Sequence, residues 1–69
     1  MTPRKFAKKL KEAREEKGYS QRQLALRVGL SDKSISAYER GTTYPPVANL
    51  LIIANTLNKP VSYFLEDRK

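Results

Sequence analysis

The sequence predicts an all-α fold, a compact bundle of five short helices forming a single domain over residues 1–69. Apolar residues recur at spacings of three and four, with no strand-like alternation between them. Glycine and proline cut the chain into five segments, and Ser or Thr stands just before three of them. A chain this short hides only about 60% of its unfolded surface, so its core must be small and efficiently filled.

Thr2-Pro3 reads as a helix start, with Thr as N-cap and Pro at the first helical position, where its missing N–H costs nothing. The first helix, 3–17, carries Phe6, Ala7, Leu10 and Ala13 on one face. Its other side holds Lys5, Lys8, Lys9, Lys11, Glu12, Glu15 and Glu16, and Gly18 ends it as a left-handed residue. Ser20, with Gln23 three residues on, fits a capping box and opens the second helix, 21–28. Leu24, Ala25 and Val28 form its apolar stripe, and Gly29 closes it. Ser31 caps the third helix, 32–40, in which Ile35 and Tyr38 face inward and Gly41 supplies the stop. The two prolines of Thr42-Thr43-Tyr44-Pro45-Pro46 push the residues before them toward extended backbone. The fourth helix, 47–57, places Val47, Leu50, Leu51, Ile53, Ala54 and Leu57 at helical spacing. Its uninterrupted apolar run from Leu50 to Ala54 suits a buried helix. Asn58-Lys59-Pro60 breaks the chain again, the fifth helix, 61–65, carries Val61, Phe64 and Leu65, and 66–69 form a charged tail.

Fourteen Lys and Arg stand against seven Asp and Glu, a formal charge of +7. That balance is expected of nucleic-acid binders, anionic membrane binders and some ribosome-associated proteins, although a merely solvated basic surface has the same composition. The chain has neither cysteine nor histidine. Disulfides, zinc sites built from Cys and His, and the usual general base of hydrolases are therefore excluded. The seven carboxylates are scattered, so the expectation is no enzyme, no metal, no cofactor and no small-molecule site. No apolar run resembles a signal peptide or reaches membrane-spanning length, from which a cytoplasmic protein is expected, nucleoid-associated if its polyanion is DNA. Lodging on a membrane surface would need Phe6, Ala7, Leu10 and Ala13, which the core also needs.

The informative unit is the pair of short helices 21–28 and 32–40, joined by Gly29-Leu30-Ser31. A turn this tight sets two short helices at a steep angle. The third helix then leaves Asp32, Lys33, Ser36, Ala37 and Arg40 outward. These side chains suit a groove about 12 Å wide, and an ordinary solvated helix face would look the same. Arg14 follows Leu10 by four and Glu39 follows Ile35 by four, so each charge lies on an apolar face. Two opposite charges both pointed inward are expected to meet and fix helix three against helix one.

The run from Tyr19 to Pro46 resembles the Cro/phage-repressor-type helix-turn-helix family, also called the XRE family. The matching features are Ser20-Gln21, Leu24-Ala25, Val28-Gly29, Ser34-Ile35-Ser36, Glu39-x-Gly41 and Pro45, continued by Leu50, Ile53-Ala54, Leu57 and Tyr63-Phe64-Leu65. The resemblance implies a lambda-repressor-like five-helix fold and sequence-specific binding of double-stranded DNA by a transcriptional regulator, with repressor as the expected role. It implies that helix three lies in the major groove and helix two crosses the backbone. By position, Gln21 would bond a phosphate, Ser31, Asp32, Lys33, Ser36 and Ala37 would face the bases, and Arg40, Thr42, Thr43 and Tyr44 would contact the backbone. The family also has an inter-helix Arg–Glu bridge at the positions of Arg14 and Glu39. Lys33 could donate to guanine, Ser36 to almost any base edge, and Ala37 could rest on a thymine methyl. Asp32 has two readings: an acceptor for a cytosine amino group, or an acid favouring the positive end of helix three.

Two positions depart from the family's pattern. Ile52 stands where a polar residue is usual, and Lys59 replaces an apolar one in the turn before helix five. An exposed Ile52 beside Tyr63 would suit a two-fold dimer patch, and it would equally be an unremarkable exposed side chain. A homodimer on DNA would read an inverted-repeat operator with half-sites about 34 Å apart. The same fold also resembles coactivator and antitoxin domains whose contacts are to proteins; exposed apolar residues on helix three would favour that alternative.

Overall fold

The computed structural model describes residues 3–65 and contains five helices and, among those residues, no strand. They are α1 (Pro3–Glu16), α2 (Gln21–Val28), α3 (Asp32–Arg40), α4 (Val47–Thr56) and α5 (Val61–Leu65). The expected Thr2 cap and the 66–69 tail lie outside the described residues. Helix α1 stops one residue earlier than the spacing predicts, with Lys17 and Gly18 turning out of it. The boundaries of α2 and α3 fall where the local signals place them. Ser20 accepts from the Gln23 N–H at 3.0 Å while the Gln23 side chain accepts from the Ser20 N–H at 2.8 Å, a reciprocal capping box. Ser31 caps α3 by accepting from the Ser34 N–H at 3.1 Å. Helix α4 ends at Thr56 with Leu57 as its cap, and Asn58 follows at φ 58, a left-handed conformation that asparagine tolerates better than most residues.

One core joins all five helices. Phe6, Leu10 and Ala13 from α1 meet Leu24, Ala25 and Val28 from α2, Ile35 and Tyr38 from α3, Leu50, Ile53, Ala54 and Leu57 from the α4 region, and Phe64 from α5. Phe6 stands at its centre, with its ring centroid 5.8 Å from Phe64 and 5.6 Å from Tyr44.

The apolar run of α4 is only half buried, which corrects the sequence expectation. Leu50, Ile53 and Ala54 are buried, whereas Val47 is 73%, Leu51 50% and Ile52 45% exposed. Leu51 and Ile52 lie 100° and 200° round the helix from Leu50, and only one face meets α2 and α5. Val47 shares the register of Leu50, but helical side chains lean toward the N-terminus, so the first residue leans past the end of the packed face. Leu65, in α5, is likewise exposed.

Gly41 closes α3 at φ +76, and a Cβ there would stand 3.3 Å from Arg4 Cα. Gly29 has nearly the same φ, +75, with nothing within 4 Å. Left-handed backbone costs an L-residue roughly 1–2 kcal/mol. Gly41→Ala is therefore expected to lose about 1.5 kcal/mol in urea melts, and more than Gly29→Ala. Equal losses would show that α1 yields to the added methyl without cost.

Candidate functional site

The turn between α2 and α3 holds the first turn of α2 beside the outer face of α3. Between them lies an open groove of about 610 Å³ lined by Ser20, Gln21, Arg22, Asp32, Lys33, Ser36 and the edge of Arg14. Of the residues expected to act, Gln21, Asp32, Lys33 and Ser36 thus come together. Thr42, Thr43 and Tyr44 lie beyond the other end of α3, outside this groove. Ser31 borders a smaller groove of about 190 Å³ with Arg22, Ala25, Leu26, Leu30 and Asp32.

The groove is built on an ion pair. Arg14 Nε donates to Glu39 Oε2 at 2.6 Å and Arg14 Nη2 to Glu39 Oε1 at 3.0 Å, a two-pronged pairing of guanidinium and carboxylate. Arg14 Nη1 donates to the Tyr19 carbonyl at 2.7 Å, and Gln21 Nε2 to Glu39 Oε1 at 3.1 Å. Four elements are thereby tied at one point: α1, the 17–20 turn, α2 and α3. Arg14 is only 8% exposed. The hydrogen bond to Glu39 raises its pKa above the ordinary arginine value, with burial acting the other way, so it stays cationic.

Several expected site residues have partners that spacing could not reveal. The Gln21 amide is turned toward Glu39, although the α2 backbone N–H groups of Gln21 and Arg22 are left over by the capping box. The Ser31 hydroxyl serves as the α3 cap and lies 3.1 Å from the Ser34 hydroxyl. Arg40 Nη1 folds back along α3 to donate to Ser36 Oγ at 2.8 Å. Thr42 Oγ1 donates to the Ala37 carbonyl at 3.1 Å, closing the end of α3, and Thr43 Oγ1 donates to the Tyr44 carbonyl at 3.4 Å. Tyr44 leans its ring on Phe6. Lys33 and Asp32 are exposed, and among the described residues neither has an ion pair. Arg22 escaped the sequence reading. It lines both grooves from the first turn of α2, and only its place beside the Ser20 cap could have flagged it.

The rest of the surface differs in character. Tyr63 is half-buried, packed edge-on against Phe64 at 5.0 Å, with Lys9 and Lys59 Nζ 5.4 and 4.8 Å from its ring centroid. Lys59 also pairs with Glu16 at 3.0 Å, which raises its pKa above the ordinary lysine value. The unexpected lysine in the α4–α5 turn therefore clasps α1. Among the described residues no cluster of acids could hold a metal, and no helix is long and apolar enough to cross a membrane. An exposed groove bordered by Arg22, Lys33 and free amides is chemistry for a polyanion.

A helix-turn-helix family model matches residues 10–64, most of the chain and all of the α2–α3 unit. The chain belongs to the helix-turn-helix family, of the Cro/phage-repressor type. This helix-turn-helix domain is 36% identical over 60 residues to the HTH-type transcriptional regulator ImmR of Bacillus subtilis, a match covering 87% of this chain and 47% of ImmR. The chain thus spans about half the length of that relative. Among solved structures it resembles the restriction-modification controller protein C.AhdI of Aeromonas hydrophila, with 32% identity, 90% of each chain covered and a TM-score of 0.85. It also resembles the DNA-binding domain of the P22 c2 repressor, with 29% identity, 94% of this chain and 86% of that one covered, and a TM-score of 0.85.

Proposed function

We propose that this domain binds double-stranded DNA as the reading head of a transcriptional regulator, inserting α3 into the major groove. The observation that carries this is the polar outer face of α3 set beside the open N-terminus of α2 in one basic groove. In that arrangement α2 crosses a phosphate, received by the backbone N–H groups of Gln21 and Arg22 and by the Arg22 side chain. Asp32, Lys33, Ser36 and Ala37 then face base edges. Arg40, Thr42 and Thr43 approach the backbone at the far end, once Arg40 leaves Ser36. The α3 surface carries no large exposed apolar residue, which favours DNA over a protein partner. Selection from random duplexes at two salt concentrations tests this reading. An enriched motif is expected, with affinity falling by roughly 0.9 log unit per log unit of salt for each phosphate neutralised. Steep salt dependence without a motif would reduce the domain to non-specific binding.

Repression by a homodimer on an inverted repeat is the finer form of this proposal. The exposed apolar side chains Val47, Leu51 and Ile52 on α4 suit a self-complementary face better than Tyr63, whose ring is engaged within the domain. Ile52→Glu is expected to abolish cooperative binding to half-sites about 34 Å apart while single half-site affinity stays unchanged. Sedimentation velocity and titration of the two duplexes check it. Unchanged cooperativity would remove this face.

A further inference from the structure

The start of α1 is pressed against the end of α3 by main-chain contact. A Cβ on Gly41 would lie 3.3 Å from Arg4 Cα, 3.5 Å from Arg4 Cγ and 3.6 Å from the Arg4 backbone nitrogen. Two residues further on, Phe6 is fully buried and its ring meets Tyr44, in the loop that follows α3. The first turn of α1 is thus held from both sides, by the α3 cap and by that loop. Arg4 is thereby carried, on helical backbone, to the point where α3 gives way to Thr42 and Thr43.

Its surroundings leave the charge unanswered. Arg4 is exposed, and among the described residues it has no ion pair. The first turn of α1 contains no acid. The next acid along the helix, Glu12, is eight residues on, about 12 Å along the axis. Glu39, the last residue but one of α3, is already occupied by Arg14 and Gln21. A guanidinium so placed presents a planar fork matched to a phosphate, with no carboxylate among the described residues paired to it.

We propose that Arg4 is a phosphate-binding residue of the DNA surface, completing with Arg40 and Thr42 a second backbone clamp at the C-terminal end of α3. The inference rests on the DNA-binding reading above and adds α1 to the interface. Clamps at both ends of the recognition helix would fix its tilt in the groove, whereas one at α2 alone would leave it free to rock.

The test is fluorescence anisotropy with the full chain, a selected duplex and an unrelated one, from 50 to 200 mM salt. Arg4→Ala is expected to flatten the plot of log affinity against log salt by about 0.9. Its deficit against the parent chain should therefore shrink roughly 3- to 4-fold across that range, equally on both duplexes. Arg4→Lys should restore most of the slope, as a point charge in the same place. Lys17→Ala, just past the far end of α1 and about 20 Å along its axis, should leave the slope unchanged. Circular dichroism melts are expected to match throughout, since both side chains are exposed. An unchanged slope for Arg4→Ala, or an equal flattening from Lys17→Ala, overturns this inference and leaves the DNA reading standing. Failure of the parent chain to bind either duplex overturns both.

Discussion

Replacing Arg14 by alanine is expected to destabilise the domain by about 3 kcal/mol, because it strands the Glu39 carboxylate in a nearly closed site. The Glu39 side chain is 4% exposed and loses two charged donors at once, keeping only the Gln21 amide. A domain of 69 residues has a total stability of roughly 3–10 kcal/mol, so this single loss removes about three-tenths of it or more. Urea melts followed by circular dichroism measure the effect. Pairing Arg14→Met with Glu39→Leu should recover most of the loss, because an apolar pair of similar volume escapes the desolvation that the lone carboxylate suffers. A deficit below about half a kilocalorie for Arg14→Ala, with the double variant merely additive, would mean that the pair holds nothing together. The consequence for function is direct: Glu39 sits on α3 and Gln21 opens α2, so the same node orients both walls of the groove.

The placing of that node was legible because its signals are local. Leu10 to Arg14 and Ile35 to Glu39 are each one helical turn, and a charge in register with a buried residue has few other places to go. Helices α2 and α3 were legible to the residue for the same reason: Ser20 with Gln23, Ser31, Gly29 and Gly41 are caps whose chemistry acts within one turn. Helix α4 was less so. A run of five apolar residues has no polar member to mark which side faces water, so the exposure of Leu51 and Ile52 depends on where α2 and α5 happen to pack. At the site, the sequence told which residues lie on the outer face of α3 but not what their side chains do there. The Arg40–Ser36 bond, the turn of Gln21 toward Glu39 and the lean of Tyr44 on Phe6 follow from rotamers and tertiary packing. Arg22 and Arg4 carry no sequence signal that sets them apart from the other basic residues. Only the groove and the close approach at Gly41 distinguish them.

These partners divide the proposed base-facing set by readiness. Ser36 must exchange its bond from Arg40 for one to a base, and the Ser31 hydroxyl already caps α3, so each gains little that it does not already have. Lys33 is different, being exposed in the groove wall with no ion pair among the described residues to break. Under the DNA reading, a good base contact is worth about 1–3 kcal/mol of discrimination. Lys33→Ala is therefore expected to weaken binding to the selected duplex by about 2 kcal/mol, roughly 30-fold, while binding to an unrelated duplex falls only slightly. The selected motif should at the same time relax at one position, where a guanine would be replaced by mixed bases, as repeated selection with the variant would reveal. The salt slope separates the alternatives: a base contact leaves it nearly unchanged, whereas a phosphate contact lowers it by about 0.9. A loss equal on both duplexes, with a flattened slope, would move Lys33 from the bases to the backbone. In that case sequence reading would fall to Asp32, Ser36 and Ala37, and the Asp32 carboxylate could then be judged by its preference for cytosine.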